Sequence, residues 1–130
     1  MPSLSLRIKL DPAGRIGSGK IDLLEQIAAS GSISAAARQM GMSYKRAWDL
    51  VEEMKRMFGR PVVDAQSGGK HGGGARLTDM GEVLVSRYRA IEQAAMLAVQ
   101  EHIDALQAEM AQPEEDALSA KGELGEFRRA

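Results

Sequence analysis

The chain has 130 residues, of which 44% are hydrophobic, enough for one folded domain with a buried core. It contains no cysteine, which excludes disulfide bridges and thiolate metal sites, and no run of about 18 apolar residues that could cross a membrane. The net charge of -1 is unevenly distributed, because residues 1–89 carry 14 Lys and Arg against nine Asp and Glu, whereas residues 90–130 carry three against nine. We expect a cytoplasmic protein with a basic N-terminal part and no membrane contact.

The first 31 residues indicate a strand followed by a helix. Apolar and polar residues alternate over residues 4–10, which predicts a half-buried strand, and residues 11–14 form a turn. Ser18 begins the first predicted helix, which ends at Ser30 and Gly31. The predicted inward face of this helix comprises Ile21, Leu24, Ile27 and Ala28.

Two capped helices separated by one glycine follow over residues 31–58. Ser34 can cap a short helix that ends near Met40, Gly41 supplies the turn, and Ser43 can cap the next helix. This is the sequence pattern of a helix-turn-helix. An apolar stripe along the second helix is expected to face inward and consists of Ala47, Leu50, Val51, Met54 and Phe58.

Early residues of the second helix lie mostly off that stripe, namely Tyr44, Lys45, Trp48 and Asp49. They are therefore available to contact another molecule. Trp48 lies beside the stripe, so a core position and an outward position are equally compatible with the pattern.

A short hairpin is predicted after the helix-turn-helix. Val62 and Val63 start one strand, residues 75–77 form the returning strand, and the loop at residues 67–74 holds five of the 14 glycines. Lys70, His71 and Arg76 make this wing positive. A glycine-rich loop can simply be solvated, but its place directly after the second helix favours contact with a phosphate backbone. Helix-turn-helix and hairpin together predict a winged helix.

Thr78 caps a long helix that is predicted to reach about Gln112 and to measure roughly 50 Å. Its apolar residues form a seam that one protomer would leave exposed, which favours a homodimer, although the helix could instead fold back over its own domain. The predicted interface comprises Leu84, Tyr88, Ile91, Ala95, Met96, Val99, Ile103, Leu106 and Met110.

The predicted fold class is therefore mainly α with a small β wing. Residues 1–77 form the winged helix-turn-helix, residues 78–112 the long dimerisation helix, and residues 113–130 a poorly ordered acidic tail.

Several motifs carry a family resemblance: Gly-Ser-Ile-Ser-Ala-Ala-Ala-Arg from Gly31, Met-Ser-Tyr-Lys-Arg-Ala-Trp-Asp from Met42, Gly-Arg-Pro-Val-Val from Gly59, Gly-Gly-Gly-Ala-Arg-Leu-Thr from Gly72, and Gly81-Glu82. Over roughly residues 4–110 the chain resembles the N-terminal DNA-binding domain of the ModE family of molybdate-responsive regulators, whose winged helix is similar to that of LysR-type regulators. The resemblance implies a dimeric transcription factor and no enzyme activity.

The resemblance also implies which residues meet double-stranded DNA. Ser43, Tyr44, Lys45 and Trp48 match positions at the major groove, Ser34 and Ala35 positions near the backbone, and Lys70 and Arg76 the wing. The side-chain chemistry agrees, since Lys45 and Arg46 can reach phosphate or guanine and His71 adds charge to the wing. Full-length family members continue into small β-barrels that bind molybdate. Residues after Gln112 cannot form a barrel, so we expect a stand-alone DNA-binding domain without the molybdate-binding part. Regulation by a separate protein, by expression level or by an unknown ligand stays open.

Two alternatives remain. Residues 14–20 fit the G-x-x-x-x-G-K pattern of a phosphate-binding loop, but Ile21 stands where Ser or Thr would hold magnesium. A winged helix that binds another protein without meeting DNA would share the fold without needing Lys45, Arg46 and Lys70. We expect no catalytic residues, cofactor or metal, because His71 and His102 are far apart in the chain; His102 would be packed at the dimer seam or solvated.

Overall fold

The computed structural model describes residues 1–66 and 74–111. It begins with the hairpin of β1 (Arg7–Lys9) and β2 (Arg15–Gly17), followed by α1 (Ser18–Ser30), α2 (Ile33–Gln39) and α3 (Tyr44–Phe58). A second hairpin, β3 (Val63–Gln66) and β4 (Gly74–Leu77), leads into the long helix α4 (Asp79–Glu109). Both hairpins are antiparallel two-stranded sheets. The predicted class, mainly α with a small β wing and a long C-terminal helix, is confirmed.

The β1–β2 hairpin differs from the predicted single strand. The predicted turn is present, since the Leu10 N–H donates to the Gly14 carbonyl over 2.9 Å, but it leads into a second strand. Ile8 lies opposite Ile16, and these two side chains pack on the core side. The hairpin therefore closes one side of the helical domain.

Helices α1, α2 and α3 surround the core. Its buried residues are Ile16, Ile21, Leu23, Leu24, Ile27, Ile33, Ala36, Ala37, Ala47, Leu50, Val51, Met54, Val62, Val63, Leu84 and Tyr88. The inward face of α1 was predicted correctly for Ile21, Leu24 and Ile27, but Ala28 is exposed and Leu23 is buried instead. Leu23 is buried because two helices of the same protomer, α2 and α4, both pack against α1.

Helix α4 begins against the wing. The Thr78 hydroxyl accepts a hydrogen bond from the Gly81 N–H over 3.1 Å, as the predicted cap requires, and the Thr78 N–H donates to the Val62 carbonyl over 3.0 Å. A Cβ at Gly81 would lie 2.1 Å from the Val62 carbonyl oxygen. Only glycine therefore lets α4 start this close to β3.

The next turns of α4 belong to the core of the same protomer. Leu84 is 7% exposed and Tyr88 is 1% exposed, and the Tyr88 hydroxyl donates to the Leu6 carbonyl over 2.6 Å. Their assignment to a dimer seam is therefore wrong, because side chains buried within one protomer cannot contact a second. Desolvation raises the pKa of the Tyr88 phenol above its usual value.

Arg89 links α4 to α1 through partly exposed ion pairs. Its guanidinium donates to Asp22 over 2.7 Å, to Glu25 over 2.5 Å and to Glu92 of α4 over 2.7 Å. The Arg89 hydrogen bond lowers the pKa of Glu25 below the usual value of a glutamate, and these carboxylates raise the pKa of Arg89. The direction in which α4 leaves the domain is thus set by Gly81, Tyr88 and Arg89 together.

Beyond Glu92, α4 extends away from the rest of the protomer. Three large apolar side chains there are mostly exposed: Leu97 at 76%, Leu106 at 71% and Met110 at 61%. The helix ends at Glu109, three residues before the predicted end. It does not fold back over its own domain.

Candidate nucleic-acid interface

A serine caps the start of each of α2 and α3, and one glycine lies in the turn between these helices. The Ser43 hydroxyl accepts a hydrogen bond from the Arg46 N–H over 3.0 Å, which confirms the predicted cap of α3. Gly41 has φ +68°, a left-handed conformation that favours glycine in a tight turn. The predicted cap of α2 was wrong: Ser32, not Ser34, accepts from the Ala35 N–H over 3.0 Å. Ser34 lies inside α2 and is half-buried, as is Ala35.

Helix α3 has one buried face and one exposed flank. Ala47, Leu50, Val51 and Met54 are buried as predicted, whereas Phe58 is only half-buried. We define the outer flank of α3 as Ser43, Tyr44, Lys45, Arg46 and Asp49, all of which are exposed. The buried stripe holds the helix rigidly while its first two turns present hydroxyl groups and cations to solvent.

Two contacts organise the outer flank. The rings of Tyr44 and Trp48 meet edge to face, with centroids 6.2 Å apart and planes at 75°. Trp48 is half-buried and packs against the core. The sequence left a core position and an outward position open for Trp48, and the side chain occupies the boundary between the two. Lys45 pairs with Asp49 over 3.1 Å, but the side chains are 85% and 55% exposed, so this ion pair is weak and Lys45 is free to exchange it for another anion.

The wing lies beside the start of α2. The Ala75 N–H of β4 donates to the Gly31 carbonyl over 2.9 Å, which ties the wing to the helix-turn-helix. Arg76 is opposite Asp64 in the ladder, and their side chains form an exposed ion pair at 3.6 Å. The predicted wing residues Lys70 and His71 lie outside the described residues, as does the predicted acidic tail at residues 113–130.

The phosphate-loop interpretation of residues 14–20 is wrong. Arg15–Gly17 form strand β2 in an antiparallel hairpin, whereas a phosphate-binding loop connects a parallel strand to a helix. Lys20 is mostly buried and is held by the Glu53 carboxylate and the Arg15 carbonyl. The three-residue strand β2 was missed because so short a segment has no detectable periodicity.

Neither a metal centre nor a membrane span is found in residues 1–66 and 74–111. His, Asp and Glu side chains form no group of three there that could hold a metal ion. None of the helices in these ranges combines the length and the apolar character that a membrane crossing requires.

The remaining predicted interface residues on α4 are at least partly accessible. Ile91, Leu106 and Met110 are exposed, and the half-buried ones are Ala95, Met96, Val99 and Ile103. Spacings of three and four from Met96 to Met110 keep this set on one side of the helix. We call these seven residues the α4 seam. His102 is exposed.

Comparison with known sequences agrees with this geometry. Residues 19–82 match the model of the bacterial regulatory helix-turn-helix proteins of the lysR family. The molybdenum-pterin-binding proteins MopB and MopA of Rhodobacter capsulatus are 54% identical over 78 residues and 41% identical over 95 residues, covering 60% and 73% of this chain. The DNA-binding transcriptional dual regulator ModE of Escherichia coli K12 is 46% identical over 74 residues, or 57% of this chain. The chain spans only 28% to 36% of the length of these three relatives.

Solved structures share the fold. The CbnR_DBD–DNA complex superposes with a TM-score of 0.52 at 18% identity, covering 68% of this chain and 95% of that one. Full-length LysG of Corynebacterium glutamicum with bound effector Arg gives 0.53 at 22% identity, covering 73% and 30%. Residues 19–82 thus match a helix-turn-helix of the lysR type, and the N-terminal part of the chain is similar to that of the ModE and Mop proteins.

Proposed function

We propose that this chain is a transcriptional regulator that binds double-stranded DNA sequence-specifically through the outer flank of α3. The observation that carries the proposal is the division of α3 into a buried stripe and a flank of Ser43, Tyr44, Lys45 and Arg46 in its first turn. A helix held in this way can enter the major groove, where the N-terminal residues of a recognition helix reach base edges. The names of the relatives, which include DNA-binding regulators, support the same assignment.

Each part of the flank has a distinct proposed role. Lys45 and Arg46 carry the positive charge that meets phosphate or guanine, while Ser43 and Tyr44 offer hydroxyl donors to the backbone. Trp48 packs edge to face against Tyr44 and would contact sugar or a thymine methyl group. Ser34 and Ala35 at the start of α2, together with Arg76 and the wing residues Lys70 and His71, would contact the flanking backbone.

We further propose that two copies associate through the α4 seam. The exposed fractions of Leu106 and Met110 are those expected for a helix that packs on a second copy of itself. A two-fold dimer would place the two α3 helices about 34 Å apart, one turn of DNA, and would read palindromic half-sites. Replacing Leu106 by Glu should convert the dimer to a monomer in sedimentation analysis, whereas Glu in place of the neighbouring Gln107 should not. A dimer that tolerates Leu106→Glu would contradict this interface.

DNA binding is tested by selecting bound sequences from a random pool of duplexes with the full chain. We expect one enriched palindromic sequence. Lys45→Ala should then either lower affinity for all duplexes together with the salt dependence, if Lys45 meets phosphate, or relax the preference at one base pair, if it meets guanine. Lys55→Ala, on an exposed position near the end of α3, is the matched control. No enrichment would favour a protein-binding winged helix instead, and enrichment unchanged by loss of both Lys45 and Arg46 would mean that another surface reads the DNA.

A further inference from the structure

The β1–β2 hairpin carries an arginine and lysine face that the sequence did not predict. In its register Arg7 lies opposite Gly17 and Lys9 opposite Arg15. Because side chains alternate along a strand, Arg7, Lys9 and Arg15 share the outer face, while Ile8 and Ile16 face the core. All three cationic residues are exposed. We call them the basic hairpin face.

A cleft joins this face to the outer flank of α3. The cleft has a volume of about 490 Å³, and its charged lining consists of Arg7, Arg15, Lys20, Arg46 and Glu53. Lys20 neutralises Glu53 through their ion pair. The other charged residues of the lining are Arg7, Arg15 and Arg46, and within the described ranges none of these three forms an ion pair. The cleft is therefore strongly positive and open to solvent.

The start of α1 adds a second source of positive potential. Its N-cap, Gly17, offers no side-chain acceptor, and its first turn contains no acidic residue. The free N–H groups and the helix dipole therefore remain uncompensated beside the arginines. Gly19 lines the cleft as well, and a Cβ there would have no atom within 4 Å, so a ligand can approach the backbone closely.

Arg46 determines what this cleft can bind. It is both a cleft residue and a member of the outer flank, next to Lys45 in the first turn of α3. A molecule that lies along the flank therefore continues directly into the cleft. Arginine side chains match phosphate oxygens in pairs, and the one carboxylate in the lining, that of Glu53, is paired with Lys20.

We propose that the basic hairpin face and this cleft clamp the phosphate backbone of DNA beside the major-groove site. This inference rests on the proposed DNA binding and adds a contact surface to it. Arg7, Arg15 and Arg46 hold backbone phosphates through charge-assisted hydrogen bonds, with Lys9 at the edge. The hairpin supplies affinity and register, and the outer flank supplies the sequence preference.

The test measures the dissociation constant of the full chain for its selected duplex, with flanks, over a series of salt concentrations. Arg7→Gln and Arg15→Gln should each lower the slope of log K against log salt by about 0.9, the value for one lost phosphate contact in duplex DNA. Both should weaken selected and random duplexes by the same factor. Arg87→Gln, an exposed arginine on α4, is the matched control and should change neither quantity.

Replacing single flanking phosphates by uncharged methylphosphonates locates the contact. At the phosphate that Arg7 holds, this replacement should weaken wild-type binding but add nothing to Arg7→Gln. If the hairpin variants behave like Arg87→Gln, or if they change base preference at a constant salt slope, the clamp is refuted while DNA binding stands. A wild-type chain that binds no duplex would refute the proposed function itself.

A free anion could bind the same arginines of the cleft in place of a DNA phosphate. Inorganic phosphate is added to the chain without DNA, and the amide signal of Gly19 is followed by NMR. A saturable shift that Arg7→Gln abolishes, combined with an unchanged salt slope for DNA, would make the cleft a site for a free anion and overturn the backbone assignment.

Discussion

Gly81 is the position where we expect the smallest substitution to have the largest effect on stability. In Gly81→Ala the new Cβ would lie 2.1 Å from the Val62 carbonyl oxygen and 3.1 Å from its carbon. Because carbon to oxygen contacts of this kind normally lie near 3.3 Å, α4 must move by about 1 Å away from β3. That movement breaks the hydrogen bond from the Thr78 N–H to the same carbonyl.

The magnitude follows from three contributions. Overpacking costs about 2 kcal/mol, the lost hydrogen bond costs about 1 kcal/mol, and the better helix propensity of alanine returns about 1 kcal/mol. We therefore expect Gly81→Ala to lower the free energy of unfolding by about 2 kcal/mol, measured by urea titration at constant protein concentration, since a dimer makes the value concentration-dependent.

Gly19→Ala is the matched control, because Gly19 also lies in the first turn of a helix but its Cβ would meet no atom within 4 Å. We expect this variant to gain about 0.5 to 1 kcal/mol. Equal stability of the two alanine variants would show that α4 does not approach β3 as closely as described.

Two further variants test the local interactions. Ser32→Ala should lower the free energy of unfolding by about 1 kcal/mol through loss of the α2 cap, whereas Ser34→Ala should change it little; the reverse order in urea titration would restore Ser34 as the cap. Arg89→Gln should cost about 1 kcal/mol or less at neutral pH, because the ion pairs are partly exposed. The pKa of Glu25 is lower in the folded state, so its contribution is present above the ordinary glutamate pKa of 4.5 and is lost as the pH falls through the folded value. The cost of Arg89→Gln should therefore shrink in acid, and a cost that is independent of pH would contradict the role of Glu25.

The helix-turn-helix could be predicted because its determinants are local. Gly41, the Ser43 cap and the spacing of the α3 stripe each act within a few residues. The two possible caps of α2 could not be distinguished by pattern, because Ser32 and Ser34 both precede the same short helix. The structure distinguishes them, because the Ser32 hydroxyl accepts the hydrogen bond from the Ala35 N–H.

Contacts between segments that are distant in the chain could not be predicted from the sequence. Periodicity showed that Leu84 and Tyr88 face the same way as later apolar residues of α4, but not that the core of the same protomer covers them. The basic hairpin face depends on pairing Arg7 with Gly17 and Lys9 with Arg15 across a turn, and three-residue strands give no periodic signal. The part of the candidate site that the sequence missed is therefore the part that tertiary pairing creates.

Trp48, the only tryptophan of the chain, reports directly on whether α3 meets DNA. Its emission is recorded while the selected duplex is added, with binding followed in parallel by the anisotropy of a dye on the DNA. If the outer flank enters the groove, the half-buried indole beside Tyr44 should be quenched or shifted in proportion to binding, and less so by a random duplex. Saturable binding of the selected duplex with unchanged Trp48 emission would mean that DNA contacts another surface.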